Sequence, residues 1–534
     1  MGSGVWCRDA SQVSASQILA LVGILFLALG LRLEDVHQPL VDFFSWREAS
    51  TAMMADNLPA NGWNPLWPEV SWTGDRPGYQ GREFQTLTIA AAILDAIFGW
   101  RDWHGRLVAA FCGVISTFAL FRLVSLLRGP GQGLLADAVY AVLPGAILID
   151  RSYLPDPAML ALALVSLWLV AEGMARGSAR WIVAGWAMGS LALLAKLPAL
   201  AAVPAAIYLV LSSASSDRRR SHALRLCAAL AAAGMLVAAY YLWAIHLGRT
   251  YPPFHVAGDG WLWEEGFAEF WKEGFYLDTL RWHVETWLWT PAVIILAVAG
   301  FFVGFDRRQN SSDAKLNAPW FFHIWLLGCA LFYVTAALEL RGNPWNLHIF
   351  NPPAAAFAAA GVALIANAVK AGFASARLLA VLAMVFTVLA TGRAGVDRIK
   401  HDAVGTLDHA LGRRLAELSR EGDLVVASGT YAGSAVAIFY SRRKGWLFPQ
   451  PQEADQHGFH IYDEDNLPAI EVLNNFVKRG AKLFGFVKSG HDWSEPNRYF
   501  IEHYSVLIAH LRERARTAYE DDSIAIFDLA PLAK

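Results

Sequence analysis

Eleven separated apolar runs, most of roughly 15 to 25 residues, lie along the 534-residue chain. Runs of that length match the hydrocarbon core of a bilayer, and few soluble folds can bury so many. They cover approximately Ile18–Leu33, Leu107–Leu127, Leu134–Ile149, Ala158–Ala175, Trp181–Ala195, Leu197–Leu211, Leu224–Leu247, Trp287–Phe305, Trp320–Leu338, Ile349–Ala366 and Leu378–Ala390. The chain therefore reads as a polytopic α-helical membrane protein of about eleven spans. Only 17% of its residues are charged, against about 25% in soluble domains. A formal net charge of −2 argues against a nucleic-acid partner, because phosphate-backbone binding needs basic stripes.

Between the first two runs lies a polar, tryptophan-rich connection, residues 34–106. At roughly 70 residues it is far longer than an ordinary helix connection, which marks it as a functional loop. Its stretch Phe84–Gly99 is apolar enough to raise the question of a further span. Loop charges decide the matter. If Phe84–Gly99 lies along the membrane surface, the basic positions Arg128, Arg176, Arg180, Arg218–Arg220, Arg225, Arg307, Arg308, Lys315, Lys370 and Arg377 all fall on the cytoplasmic side. Phe84–Gly99 is accordingly expected to be an interfacial helix. The N-terminus is then inside. Loop 34–106, the turn Asp150–Pro157, the turn at Lys196, the loop Arg249–Glu285, the turn Glu339–His348 and everything after Gly392 face outward.

The sequence divides into a membrane part, 1–392, and a tail, 393–534. The tail alternates strand-like runs (DLVVASG, KLFGFVK, SIAIFDLA) with helical ones, which predicts a small α/β domain with a largely parallel sheet. Its ASGTYAGSA stretch does not make a dinucleotide fingerprint. Of the four cysteines, Cys112, Cys227 and Cys329 fall in spans and Cys7 in the N-terminal tail, so no disulfide framework or thiol chemistry is expected.

Four acids converge on the outward face: Asp42 and Glu48 flanking SWR, Glu83 in GYQGREF, and Asp156 between two prolines in RSYLPDP. Each taken alone reads as a solvated loop residue or helix cap. Together, at the membrane boundary, they suit acid/base work or a divalent metal such as Zn, Mn or Mg. Lys196 interrupts LLAKLPAL; it either snorkels to the interface or binds an anion such as a lipid phosphate. His348, in NPWNLHIFNPP, begins a span on the same face, and His255 and His283 lie in the Arg249–Glu285 loop region. Each is either a metal ligand alongside the acids or a hydrogen-bonded structural residue.

FSWREASTAMMADNL, GYQGREF, RSYLPDPAML, LLAKLPAL and NLHIFNPP, in that order, resemble the GT-C superfamily of polyprenyl-phosphate-sugar-dependent glycosyltransferases. The similarity is greatest to the branch holding the lipid A aminoarabinose transferase and the protein O-mannosyltransferases. The resemblance implies an inverting transfer from a polyprenyl-phosphate-linked sugar donor to a lipid, glycan or protein acceptor, on the periplasmic face of a bacterial inner membrane. It also implies a first-loop carboxylate as general base, shared here between Asp42 and Glu48, with Asp156 as a further catalytic acid. Arg47, Glu83, Lys196 and His348 would bind substrate, and Glu83, Asp156 and His348 are the residues for a metal. One departure stands out. Relatives often carry Asp-Glu where this chain has Arg47-Glu48, which leaves Arg47 free to contact the donor phosphate. A flippase of lipid-linked sugars would need paired repeats and charges deep inside several spans; here the ionisable residues sit mainly at span ends. An inactive relative acting as a scaffold is the other alternative.

Overall fold

The computed structural model describes residues 14–213, 219–254, 268, 271–272, 281, 284, 288–303, 315–336, 340, 343–370, 374–401, 404–430, 434–448, 468–488, 501 and 504–533. A helix lies in each of the eleven expected apolar runs. Among the described residues, five helices are long and apolar enough to cross a membrane: Ala15–Leu33 (α1), His104–Arg128 (α4), Asp156–Arg176 (α7), Ala223–Thr250 and Pro344–Ala366. Large apolar side chains lie open on their outer faces and on neighbouring helices, among them Phe26 (70% exposed), Leu242 (67%) and Phe386 (73%). Such surfaces are stable only against lipid. This is a multi-pass membrane protein.

The expected span Leu134–Ile149 is instead two helices, Pro130–Val142 (α5) and Pro144–Asp150 (α6), bent by 65°. Pro144 removes a backbone donor inside the apolar run and allows a new helix to start at its first position. A bent pair of this kind is either one broken span or a re-entrant turn. The bend delivers Asp150 and Arg151 to the buried end of the bundle. Ala179–Ala195 (α8), Pro291–Val303 and Phe321–Thr335 are shorter apolar helices of 17, 13 and 15 residues. Among the described residues, five helices, or six if the bent pair counts as one, pass the length and composition of a full span, and the other expected runs hold shorter or partly described helices.

Loop 34–106 is built on two helices, Ser45–Asn57 (α2) and Thr86–Phe98 (α3), joined by a two-stranded ribbon of Glu69–Val70 (β1) and Gly78–Tyr79 (β2). At 13 residues α3 is about 20 Å long, too short for a core of about 30 Å. Its length agrees with the reading that it does not span. The surface helix expected within Arg249–Glu285, with His255 and His283, lies outside the described residues.

The tail carries a five-stranded sheet in the order β4-β3-β5-β7-β6: Leu424–Ser428 (β3), Gly445–Leu447 (β4), Ala481–Val487 (β5), Arg516–Glu520 (β6) and Ile524–Asp528 (β7). Only β4-β3-β5 are parallel; β7 runs antiparallel to both β5 and β6, so the sheet is mixed rather than largely parallel. Two strands went unforeseen. β4 is three residues long, and β6 is an exposed edge strand whose charged sequence RTAYE gives no alternation. The helix Ala374–His401 continues through the division expected at Arg393. Apolar side chains of α2, α3 and the ribbon form one continuous core with those of the tail sheet.

Candidate functional site: a cavity between the first-loop helices

A small pocket, open to solvent, is lined by Arg47, Thr51 and Met54 of α2, residues 83–88 at the entry to α3, and Pro155. Glu48 and Arg47 fall in the first turn of α2, where an acid complements the helix dipole. One terminal nitrogen of Arg47 (Nη2) donates to both carboxylate oxygens of Glu83, at 3.0 and 2.8 Å. Its other terminal nitrogen, Nη1, is buried without a hydrogen-bond partner among the described residues. Burial works to raise the Glu83 carboxyl, but Arg47 and then Lys196 outweigh it and hold the group below the usual glutamate range.

Pro155 leads into Asp156, whose two oxygens each accept from Lys196 Nζ at 2.9 Å. Both side chains are buried. Pro198, two residues after Lys196, ends α8 there, so the lysine is delivered from a helix terminus rather than from mid-span. Two cations and two acids, Arg47, Glu83, Lys196 and Asp156, thus lie together beside the cavity. Their charges balance.

Asp42 and Glu48 do not line it. Both are wholly buried in a second cluster around Arg106, at the start of α4, and Arg151, which follows α6. Arg106 donates to Glu48 at 3.2 and 2.9 Å and to Asp42 at 2.8 Å; Arg151 reaches Asp42 at 3.3 Å. The backbone N–H of Tyr153 donates to Glu48 at 2.7 Å. Burial, opposed by Arg106 and aided by the Asp42 charge, pushes Glu48 up to about 7. For Asp42 burial is outweighed by Arg106 and Arg151, and its carboxyl is held below the usual range.

A third cluster anchors the bundle. Asp150 accepts from Arg32 (3.0 and 2.8 Å), from Tyr140 (3.0 Å) and shares a bond with His348 Nε2 (2.8 Å). Arg32 fits because Gly113 faces it: a Cβ there would lie 2.5 Å from Arg32 Nε. The other ring nitrogen of His348 bonds Asn351 at 3.0 Å. His348 therefore sits in the Asp150 network rather than with Glu83.

These contacts bear on a metal. Glu83 is held by Arg47, Asp156 by Lys196, and His348 through both ring nitrogens. Among the described residues no three His, Cys, Asp or Glu side chains come together. The side chains as arranged do not fit a divalent cation.

Of the residues singled out from the sequence, Arg47, Glu83, Lys196 and Asp156 are brought together; Asp42 and Glu48 form a separate buried pair. Sequence reasoning missed Arg106, Arg151, Arg32 and Asp150. Arginines at span ends carry a signal, since buried charge there is costly and retained for a reason.

A family model described as dolichyl-phosphate-mannose-protein mannosyltransferase matches residues 87–244. No curated protein matches the sequence. Among solved structures, ArnT from Cupriavidus metallidurans bound to undecaprenyl phosphate is similar at a TM-score of 0.62 and 14% identity, covering 98% of this chain and 99% of that one. The oligosaccharyltransferase AglB from Archaeoglobus fulgidus, in complex with an inhibitory peptide and a dolichol-phosphate, gives 0.58 and 10%, over 89% of this chain and 70% of that one. The mycobacterial arabinofuranosyltransferase AftD gives 0.52 and 13%, over 97% of this chain and 42% of that one. The resemblance to GT-C glycosyltransferases read from the sequence holds, and the fold is shared along nearly the whole chain.

Proposed function

We propose that this GT-C-like membrane protein transfers a sugar from a polyprenyl-phosphate donor to a lipid, glycan or protein acceptor, with inversion, on the periplasmic face of a bacterial inner membrane. One observation carries the proposal: a buried guanidinium nitrogen, Arg47 Nη1, without a partner among the described residues, on a side chain that lines the same pocket as Glu83. A buried donor without a partner is costly, and a phosphate oxygen would satisfy it. The phosphate-bound ArnT and AglB structures support the reading.

In this mechanism the donor phosphate takes Arg47 away from Glu83 and draws on Lys196, which is close enough to Glu83 to act on its charge. Glu83, released from its arginine and bordering the cavity, accepts the proton of the acceptor hydroxyl. The oxygen attacks the anomeric carbon, and the carbon–oxygen bond to phosphate breaks with its electron pair leaving on the lipid phosphate. The anomeric centre inverts. Phosphate is already a good leaving group, so positioning, a base and nearby cations are what the protein must supply. The base is still a first-loop carboxylate, but Glu83 takes that role because Asp42 and Glu48 are sealed around Arg106. Asp156 keeps Lys196 aimed. Asp42, Glu48 and Arg106 fix the start of α2, and with it Arg47.

The test is a transfer assay on purified protein in lipid nanodiscs with radiolabelled polyprenyl-phosphate sugars and membrane extracts as acceptors. Transfer that requires Glu83 supports the proposal. Movement of lipid-linked sugar between leaflets without cleavage would identify a flippase, and phosphate binding without transfer a scaffold.

A further inference from the structure

Residues 38–42, which lead into α2, are held at every position by a bond from elsewhere in the chain. Arg106 Nη1 donates to the carbonyls of Gln38 and Pro39. The Leu40 N–H donates to the Tyr440 hydroxyl at 2.6 Å, the Gly405 N–H donates to the Val41 carbonyl at 2.7 Å, and Asp42 receives Arg106. Two of these partners, Tyr440 and Gly405, belong to the tail, more than 360 residues away along the chain.

Tyr440 lies in the short helix Val436–Ser441 and is 5% exposed. Its hydroxyl is used in both directions: it accepts from Leu40 and donates to Asp102 Oδ2 at 2.9 Å. Asp102 stands one helical turn before Arg106, on the segment that opens α4. A single oxygen therefore ties the segment carrying Asp42 to the helix start carrying Arg106. His409 packs edge-on against the ring, centroids 4.4 Å apart, and fixes its direction.

The attachment around it is broad. Arg442 pairs with Asp56 at the far end of α2 and lies 4.1 Å from the Trp100 ring centroid. Lys444 pairs with Glu69 at 2.7 Å and Arg479 with Asp75 at 2.6 Å. Main-chain bonds run from Gly445 N to Ser71 O (2.9 Å) and from Gly74 N to Gly445 O (2.6 Å), so the first loop extends the edge of the tail sheet. Gly74, at φ +72°, lies so close under Trp446 that a Cβ would sit 1.9 Å from the indole.

We infer that Tyr440 is a positioning residue of the site, through which the tail sets the placement of Asp42, Arg106 and the start of α2. The inference rests on the proposed transfer for its purpose, though not for its measurement. Without the hydroxyl, a buried N–H and a carboxylate both lose their partner, and the 38–42 segment is freed at its centre. The groups facing Glu48 are Arg106, Arg151 and Asp42, so its titration reports whether that cluster stays closed.

The experiment compares full-length native protein, Tyr440→Phe and Asp102→Asn in nanodiscs, with ¹³C-labelled glutamate, by infrared titration; Glu48→Gln assigns the band. With the segment loosened, both the burial of Glu48 and its contact with Arg106 change, and its midpoint shifts in Tyr440→Phe by about one unit. Asp102→Asn, which still offers an acceptor to Tyr440, moves it the same way by less, and decides the matter if Tyr440→Phe does not fold. A midpoint that stays at the native value in the folded variants overturns the inference. Transfer is assayed on the same samples with polyprenyl-phosphate sugars: an inactive native protein removes the proposed function and leaves the midpoint comparison standing.

Discussion

Arg47 holds both oxygens of Glu83 with one terminal nitrogen, and its other, Nη1, is buried without a partner among the described residues. A charge-assisted bond to a phosphate oxygen is worth about 1.5–3 kcal/mol. Arg47→Ala should therefore weaken undecaprenyl phosphate binding roughly tenfold or more, read by native mass spectrometry or fluorescence displacement. Glu83→Gln, which frees the guanidinium, should bind the lipid at least as well as native protein.

Lys196 and Asp156 form a buried pair whose members depend on each other. Removing one charge strands the other, at about 3–5 kcal/mol, whereas removing both is nearly neutral. Lys196→Met alone should lower thermal stability sharply, and Lys196→Met with Asp156→Asn should recover most of it. Neither variant should transfer sugar. Equal losses of stability in the single and double variants would count against the pairing.

His348 bonds Asp150 and Asn351 and does not line the pocket of Arg47 and Glu83. His348→Ala should cost stability by about 2 kcal/mol while changing the affinity for undecaprenyl phosphate less than threefold. A lipid affinity lost in parallel with Arg47→Ala would return His348 to the binding site.

Stability should also depend on pH through Asp408, outside the cavity. Burial, against bonds from Thr430 and Ser434, pushes its carboxyl up to about 7. The unfolded chain releases this proton near pH 4, while the folded chain keeps it until about pH 7. Stability from this group is therefore full below about pH 4 and declines as pH rises to about 7. Asp408→Asn, whose amide oxygen can still accept the Thr430 N–H, should show a flatter melting temperature between pH 5 and 8 than native protein.

How much of this could be read beforehand varies by element. The apolar runs located the helices because bilayer length and composition leave a strong local signal. Loop charges gave Phe84–Gly99 as a non-spanning helix, and its 13 residues agree. Placing Asp156 and Lys196 on one face was also legible; that they touch depends on the break at Pro198. The bend between α5 and α6 was signalled by Pro144-Gly145 inside an apolar run, a breaker outweighed in the reading by hydropathy. The Asp42–Glu48–Arg106–Arg151 cluster was not legible, because its members lie up to 109 residues apart and nothing local pairs them. The short β4 and the charged edge strand β6 had no pattern to read, and both depend on tertiary pairing.

The central claim is that Glu83, at the cavity, is the base, while Glu48 only holds Arg106 in place. Initial rates of sugar transfer from a radiolabelled polyprenyl-phosphate donor, in nanodiscs saturated with that donor, test it most directly. Glu83→Gln should lose at least about a hundredfold in turnover with donor binding intact. The account is contradicted if Glu83→Gln transfers sugar at the native rate, or if Glu48→Gln, folded and binding donor normally, loses turnover to the same extent while Glu83→Gln does not.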